Sequence, residues 1–285
     1  MEQTIHSHPE LLANFFTLKN LRHLIWYGET DVQKYIDKYT DVDYHTIKEL
    51  SSFLFNYLKK KYANEYIYKS ILLKKTVFGR FSPNTTSLFF EYPINKTRAD
   101  ALLINGDAYV YEIKSSYDSL DKLNRQIEQY VNCFSNIIVF THNKHLKNIL
   151  YNVPDYVGIS ILSKKYTVTE IKKPKKYFDK INHKSIFALL HKKEREMLLS
   201  IFNIKHNDNV HPAYQYNYYL DLFSKIPIKK AHENIISILK KRQNTKKLAE
   251  YCYKLPEAFH TLVFSHKLTK QEWSKFIFLV NRKHH

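Results

Sequence analysis

Residues 98–130 constrain the fold of this chain more than any other stretch of its sequence. Two short apolar segments, residues 99–104 and 108–114, flank an Asn-Gly-Asp turn, and a helix-forming segment follows them. Apolar runs on either side of such a turn are typical of an antiparallel β-hairpin. Charged residues interrupt the runs at Asp100 and Glu112. Because a buried strand seldom carries a carboxylate without a partner or a metal ion, these two positions indicate a site.

The segments around the hairpin predict a larger sheet. Residues 136–141 (NIIVFT) form a short apolar run typical of a buried strand. Residues 118–134 carry apolar side chains at helical spacing, and Asp118 is suited to cap this helix. Further strands are predicted at residues 76–80, 87–92 and 157–162, and a helix near 144–151. This order predicts an α/β fold in which helices flank a mixed central sheet.

Helical patterns dominate both ends of the chain. Before the sheet, apolar residues recur at helical spacing in residues 9–26, 43–62 and 64–73. After residue 172, helices are predicted at 186–202, 214–223, 231–241 and 245–253. We therefore predict three parts: a helical N-terminal extension (1–60), an α/β core (61–172) and a basic helical C-terminal region (173–285).

The charge of the chain restricts its partners. With 45 Lys and Arg against 27 Asp and Glu, the formal net charge is +18 over 285 residues. Such an excess favours a polyanion, either nucleic acid or an anionic membrane surface. A solvated, lysine-rich surface that needs no ligand is the open alternative. The sequence contains no run of about 18 uncharged apolar residues, so we expect no membrane span.

The cysteines and the N-terminus bear on location. Cys133 and Cys252 lie far apart and neither belongs to a CxxC pair. We therefore expect free thiols in a reducing compartment rather than a disulfide framework or a zinc finger. The first residues lack the basic and apolar pattern of a signal peptide. These features together predict a cytoplasmic protein.

The length of the hairpin loop decides whether the two acidic residues meet. With a two-residue Asn105-Gly106 turn, Asp100 and Glu112 would lie on opposite faces of the hairpin. With Asp107 included in the loop, Ile104 faces Ala108, and Asp100 then lies directly opposite Glu112. Directly opposed side chains share a face, with Cβ atoms about 4.5–5.5 Å apart. Two carboxylates that close repel each other unless a cation lies between them. We expect the longer loop, and with it a site for a hard divalent cation such as Mg²⁺.

These residues carry a resemblance to a known superfamily. Asp100 followed by Glu112-Ile113-Lys114 on the next strand resembles the D…(D/E)xK signature of the PD-(D/E)XK nucleases, although Ala99 replaces the usual proline. The pair Gln126 and Tyr130 is similar to the QxxxY motif of its RecB-like branch. The resemblance covers roughly residues 64–162 and implies a restriction-endonuclease-like core. The flanking parts resemble a little-characterised bacterial group with the same domain.

The resemblance implies a metal site. Asp100 and Glu112 would bind Mg²⁺ or Mn²⁺, together with the backbone carbonyl of Ile113. An acidic residue on the helix before the sheet often completes such sites. Glu65 is the first choice for that ligand, and Glu91 is the second.

The resemblance also implies an activity. Lys114 would orient the attacking water and stabilise the pentavalent phosphate, and Gln126 and Tyr130 would support the site or contact the substrate backbone. The predicted protein is a Mg²⁺-dependent nuclease that hydrolyses phosphodiester bonds in nucleic acid, with DNA as the favoured substrate.

Other interpretations are open at the level of sequence. Asp100 and Glu112 could form salt bridges with Arg98 or Lys114, Gln126 and Tyr130 could be a surface glutamine beside a core tyrosine, and Glu65 could be a solvated helix residue. The protein could bind nucleic acid with little or no catalysis. It could also be a defence or counter-defence factor whose target is another protein.

Overall fold

The computed structural model describes residues 9–207 and 209–283, which form two compact units. One unit contains the described residues up to Pro83, residues 115–117 and those from Thr245 onward. The other contains residues 84–114 and 118–244. These boundaries cut across the three parts predicted from the sequence, because the last helices group with the first ones.

Within the described residues the chain forms helices and one sheet. In chain order the α-helices are α1 (Pro9–Ala13), α2 (Leu18–Tyr27), α3 (Asp31–Tyr39), α4 (Ile47–Lys61), α5 (Glu65–Lys75), α6 (Leu123–Val131), α7 (Leu146–Asn152), α8 (His183–Ala188), α9 (Lys192–Ile201), α10 (Pro212–Phe223), α11 (Ile228–Lys240), α12 (Thr245–Cys252), α13 (His260–Ser265) and α14 (Lys270–Asn281). The strands are β1 (Ser87–Ile94), β2 (Thr97–Asn105), β3 (Asp107–Lys114), β4 (Asn136–His142), β5 (Gly158–Leu162) and β6 (Val168–Lys172).

The first unit is helical and contains α1–α5 and α12–α14. Its core includes the aromatic rings of Phe16 and Phe259, whose centroids lie 6.0 Å apart. The side-chain hydroxyls of Ser70 and Thr261 lie 2.7 Å apart and tie α5 to α13. No helix in the described parts of the chain is both long and apolar enough to cross a bilayer.

The second unit contains the whole sheet, whose strand order is β1-β2-β3-β4-β5-β6. Strands β1, β2 and β3 are antiparallel neighbours, β3, β4 and β5 run parallel, and β6 is antiparallel to β5. Parallel neighbours need a crossover, and α6 and α7 supply the two crossovers. The prediction of an α/β fold with a mixed sheet, flanking helices and helical terminal regions is confirmed.

One continuous apolar core joins the sheet to the helices of this unit. It includes Leu102, Val110 and Val139 from three strands, Ile127 from α6 and Ile149 from α7. Because alternate strand residues share a face, Asp100, Glu112 and Lys114 belong to the same face as Leu102 and Val110. The acidic residues therefore face the side of the sheet that α6 covers.

Two predicted elements differ from the structure around the sheet. Residues Thr76–Arg80 form a π-helical turn that continues α5, not a strand, and the Phe81 N–H donates to the Thr76 carbonyl at 2.9 Å. The β-branched and aromatic residues there favour a strand locally, but a five-residue run is too short to fix its own conformation. The helix expected from Asp118 begins only at Leu123. Residues 115–122 form turns and irregular backbone before α6 starts.

Two further differences lie after β5. Strand β6 is not predicted from the sequence, because it has no fully buried residue and its apolar alternation is weak. The single helix expected at residues 186–202 is two helices, α8 and α9. A capping box begins α9, in which the Glu194 Oε2 accepts the His191 N–H at 2.7 Å. This local cap starts a new helix although the apolar spacing continues.

Candidate active site

The β2–β3 hairpin has the register expected from the longer loop. Ile104 pairs with Ala108, and Asn105 pairs with Asp107 around Gly106. Gly106 has a φ of +76°, in the left-handed region that favours glycine. Continued past the last pair, Ala101 with Tyr111, this register brings Asp100 opposite Glu112.

Asp100 replaces a strand carbonyl at the end of this ladder. Its Oδ2 accepts the backbone N–H of Ile113 at 2.5 Å, and its side chain is half-buried. This bond holds the carboxylate against β3 at the position of Glu112.

Glu112 is a buried carboxylate held by two donors. Its side chain is 1% exposed. The Lys114 Nζ donates to Oε1 at 2.7 Å, and the Tyr130 hydroxyl donates to Oε2 at 2.6 Å. Burial raises the pKa of Glu112, and the nearby Lys114 ammonium opposes that rise. A salt bridge between Glu112 and Lys114 is also expected under the alternative interpretation, in which these residues form ion pairs and bind no metal ion.

Helix α6 presents the QxxxY residues to β3. The Lys114 Nζ donates a second hydrogen bond to the Gln126 Oε1 at 3.1 Å. The Tyr130 hydroxyl lies 2.8 Å from the Arg98 carbonyl as well as near Glu112. Burial and the Glu112 charge raise the pKa of Tyr130, so this phenol stays a donor. Because Gln126 and Tyr130 are four residues apart, they lie on one face of the helix and reach the same cluster.

Glu91 lies opposite Asp100 on the other neighbouring strand. Phe90 pairs with Ala101 and Tyr92 pairs with Ala99, which places Glu91 opposite Asp100 between these two pairs. Its φ of +52° is unusual for a glutamate and marks a local distortion of β1. Carboxylate oxygens of Glu91 and Asp100 lie within 4.8 Å of each other.

From the sequence, Glu65 is favoured over Glu91 as the additional acidic ligand. A turn signal near Glu91 nevertheless indicates that Glu91 lies beside Asp100. Ile94 pairs with Thr97, so Asn95 and Lys96 form a two-residue turn, and Asn95 has a φ of +51°. Asparagine is a preferred residue in such turns. Applying that turn rule to β1 and β2 would have set Glu91 opposite Asp100.

Glu65 belongs to the other unit. It lies exposed in the first turn of α5 and forms an ion pair with Lys69 four residues later. Its part in the site therefore stays a prediction.

The side chain of Ile113 is buried, and its backbone N–H donates to Asp100. A metal-binding role for the Ile113 carbonyl also stays a prediction.

The donor atoms of this cluster suit a hard divalent cation. Asp100, Glu91 and Glu112 offer carboxylate oxygens, the ligand type that Mg²⁺ prefers. Two oxygens on opposite sides of Mg²⁺, each about 2.1 Å from it, lie about 4.2 Å apart. The carboxylate oxygens of Glu91 and Asp100 lie within 4.8 Å of each other, a range that includes this spacing. Glu112 would have to release Lys114 from Oε1 to offer that oxygen.

The cluster lies at an edge of the sheet where ligands often bind. Lys114 ends β3 and pairs with Thr141 near the end of the parallel strand β4. The Thr141 hydroxyl donates to the Lys114 carbonyl at 2.8 Å and fixes this edge. In α/β sheets, ligands bind beyond the carboxyl ends of parallel strands.

Fold and cluster together define an α/β protein with a mixed six-stranded sheet and an acidic–basic cluster at the carboxyl edge of β3. The sequence profile of a family described as bacteriophage P4 protein cII matches residues 58–254. This span is more than half of the chain, and the chain belongs to that family.

No curated protein matches the sequence. Among solved structures, a protein of unknown function from Silicibacter pomeroyi is similar at 14% identity, with 44% of this chain and 86% of that chain aligned and a TM-score of 0.29.

Proposed function

We propose that this protein is a metal-dependent nuclease that hydrolyses phosphodiester bonds in DNA. The observation that carries the proposal is the hairpin that brings Asp100, Glu112 and Lys114 to one face at one edge of the sheet. Carboxylates suit Mg²⁺ or Mn²⁺, and an ammonium beside them suits a phosphate. The net charge of +18 favours the approach of a polyanion.

Each residue of the cluster has a role in the proposed reaction. Asp100, Glu91 and Glu112 would hold the ion, which when bound lowers the pKa of a water and neutralises developing charge. Lys114, released from Glu112, would orient the attacking water and pair with a phosphate oxygen. Gln126 already accepts a hydrogen bond from Lys114 and would keep its ammonium in place.

The resemblance to the PD-(D/E)XK nucleases implies two further ligands for the metal ion. Glu65 remains the first choice for an additional acidic ligand, and Ile113 would add its backbone carbonyl.

Cys133 and Cys252 are both free and buried, which supports a reducing, cytoplasmic location. The family is named after a bacteriophage protein, which fits a role in conflict that involves phages or other mobile elements.

Cleavage of DNA by the purified protein tests the proposal. With Mg²⁺ or Mn²⁺ the wild type should cut DNA, and EDTA should abolish cutting. Asp100→Asn, Glu112→Gln and Lys114→Ala should each lower the rate at least about a hundredfold, the loss typical of removing one key electrostatic group. A thermal shift with Mn²⁺ should disappear in Asp100→Asn.

Asp155→Asn is the matched control, because this acidic side chain is 78% exposed and precedes the amino end of β5. It should cut like the wild type. Circular dichroism should show that all variants keep the fold. Cutting that persists in Glu112→Gln and in Lys114→Ala would remove the assignment.

A second candidate function is supported by the bonding of Glu112. Both of its carboxylate oxygens already have donors, Lys114 and Tyr130, which suits a nucleic-acid-binding protein with little or no catalysis. Binding of DNA in EDTA, with no cleavage under any divalent metal and no metal-dependent thermal shift, would favour this candidate.

A further inference from the structure

A shallow, open groove lies along α7 and the turn before it. Its lining comes from residues 144–152 alone. In α7 only Ile149 is fully buried. Tyr151 is 91% exposed and Leu150 is 45% exposed. Both side chains are therefore accessible to a ligand.

The charged side chains that line the groove have one sign. Two lysines line the groove, Lys144 and Lys147, and its lining contains no acidic residue. Lys147 precedes Tyr151 by four residues, so the ammonium and the ring lie on the same face of α7. The groove therefore offers a flat aromatic surface with cations beside it.

This combination fits single-stranded nucleic acid. An exposed tyrosine ring stacks on the face of a base, and neighbouring lysines pair with the phosphates. The faces of the bases in a duplex are already covered by their neighbours, so a single strand uses the ring and a duplex does not. An acidic protein would be drawn by the lysines, but it would make little use of the flat face of Tyr151.

The groove begins at the sheet edge that carries the candidate active site. Lys114 pairs with Thr141, and the 3₁₀ turn Asn143–His145 starts directly after β4 ends. Right-handed crossovers from β3 to β4 and from β4 to β5 put α6 and α7 on the same face of the sheet. Ile149 of α7 shares one core with Ile127 of α6, as this arrangement requires.

We infer that the α7 groove, residues 144–152, is a docking site for a single strand of nucleic acid that runs toward Lys114. The proposal rests on the proposed nuclease function and adds its substrate class. Tyr151 stacks on a base, and Lys147 contacts an adjoining phosphate. The strand then lies at the edge where Lys114 ends β3.

Binding without catalysis tests this inference. Fluorescence anisotropy in EDTA would compare a labelled oligothymidine with a duplex of the same length. Loss of one base–aromatic stack weakens binding by about 1–3 kcal/mol, so Tyr151→Ala should raise the Kd for oligothymidine about tenfold. Tyr151→Phe keeps the ring and should bind like the wild type. Lys147→Glu should weaken binding and lower its dependence on salt.

Tyr214→Ala is the matched control, since Tyr214 is 69% exposed in α10 and lies outside the groove. It should leave the Kd for oligothymidine unchanged. An unchanged Kd in Tyr151→Ala would overturn the inference, and so would an equal loss for the duplex. A loss confined to an acidic peptide ligand would assign the groove to a protein instead.

The outcome is separable from that of the nuclease proposal. The anisotropy measurement needs neither a metal ion nor cleavage. If Glu112→Gln cuts DNA normally while Tyr151→Ala binds oligothymidine poorly, the catalytic assignment fails and the docking site stands. If Glu112→Gln is inactive and Tyr151→Ala binds normally, the docking site fails alone.

Discussion

Glu112 takes its chemical character from the side chains that enclose it. A carboxylate that is 1% exposed is unfavourable when charged unless cations and donors stabilise it. Lys114 and Tyr130 supply both, one at each oxygen. Because Lys114 itself is only 12% exposed, neither charge is solvated well without the other. Removing one partner of such a pair leaves an uncompensated buried charge.

His232 shows the same principle for a base outside the site. It is buried in α11, 5.5 Å from the ring centroid of Phe178 and 6.3 Å from that of Phe134. Its Nε2 has no hydrogen-bond partner among the described residues. Burial disfavours the charged imidazolium and lowers the pKa of His232 to about 4.

This histidine makes stability depend on pH. Its pKa in the fold lies below the value of about 6.5 in an unfolded chain. The unfolded state therefore takes up a proton first, and the contribution to the free energy of unfolding is complete above pH 6.5 and lost as the pH falls toward 4. The loss should approach about 3 kcal/mol.

Urea unfolding at pH 7.5 and at pH 4.5 measures this effect. His232→Leu should lose less stability between the two pH values than the wild type loses. His23→Leu is the control, because that ring lies on the half-buried surface of α2. Equal pH dependence in wild type and His232→Leu would contradict the assignment.

Arg242 organises several elements of the sheet-containing unit. Its guanidinium forms a two-pronged pair with Glu194 in the first turn of α9, with Nε to Oε1 at 2.7 Å. It also donates to the Tyr92 hydroxyl in β1 at 2.8 Å and to the Leu189 carbonyl after α8 at 2.7 Å. One side chain thus joins a strand to two helices, and its planar geometry is suited to that task.

Replacement of this side chain should loosen the unit. Arg242→Ala leaves Glu194 without its cation and should lower the free energy of unfolding by about 2 kcal/mol, less than for a fully buried pair because both groups are partly exposed. Arg242→Lys should recover only part of the lost free energy of unfolding, since lysine lacks the planar guanidinium that bonds both oxygens of Glu194. Urea unfolding measures both values. Lys184→Ala, an exposed lysine of α8, should stay within about 0.5 kcal/mol of the wild type.

For the whole molecule, the net charge of +18 dominates long-range behaviour. Each phosphate that a lysine or arginine neutralises releases counterions, so affinity falls with salt. If about six phosphates are contacted, the Kd for duplex DNA should rise about a thousandfold between about 50 and 200 mM salt. Anisotropy over a salt series in EDTA gives the slope. An affinity that does not change with salt would favour a protein target over DNA.

Local sequence rules predicted the centre of the sheet well. The Asn-Gly-Asp loop and the alternation of apolar residues set the β2–β3 register, because both act over a few neighbouring residues. The buried strand β4 followed from its apolar run. These features needed no knowledge of distant parts of the chain.

The same rules failed where distant residues decide the conformation. Thr76–Arg80 has strand-forming residues but continues α5, and the edge strand β6 lacks the apolar pattern of a buried one. Helix α6 begins at Leu123 rather than after the expected cap at Asp118. Propensity is a weak guide when packing against remote elements outweighs it.

The sequence by itself determined the composition of the candidate site and the hairpin that brings Asp100 opposite Glu112. Only the tertiary structure decided that Gln126 and Tyr130 reach Lys114 and Glu112, because α6 must first pack across the sheet. It also decided that Glu91 takes a left-handed conformation opposite Asp100. Hydrogen bonds between elements depend on packing distances of a few tenths of an ångström, and spacing along a sequence does not contain those distances.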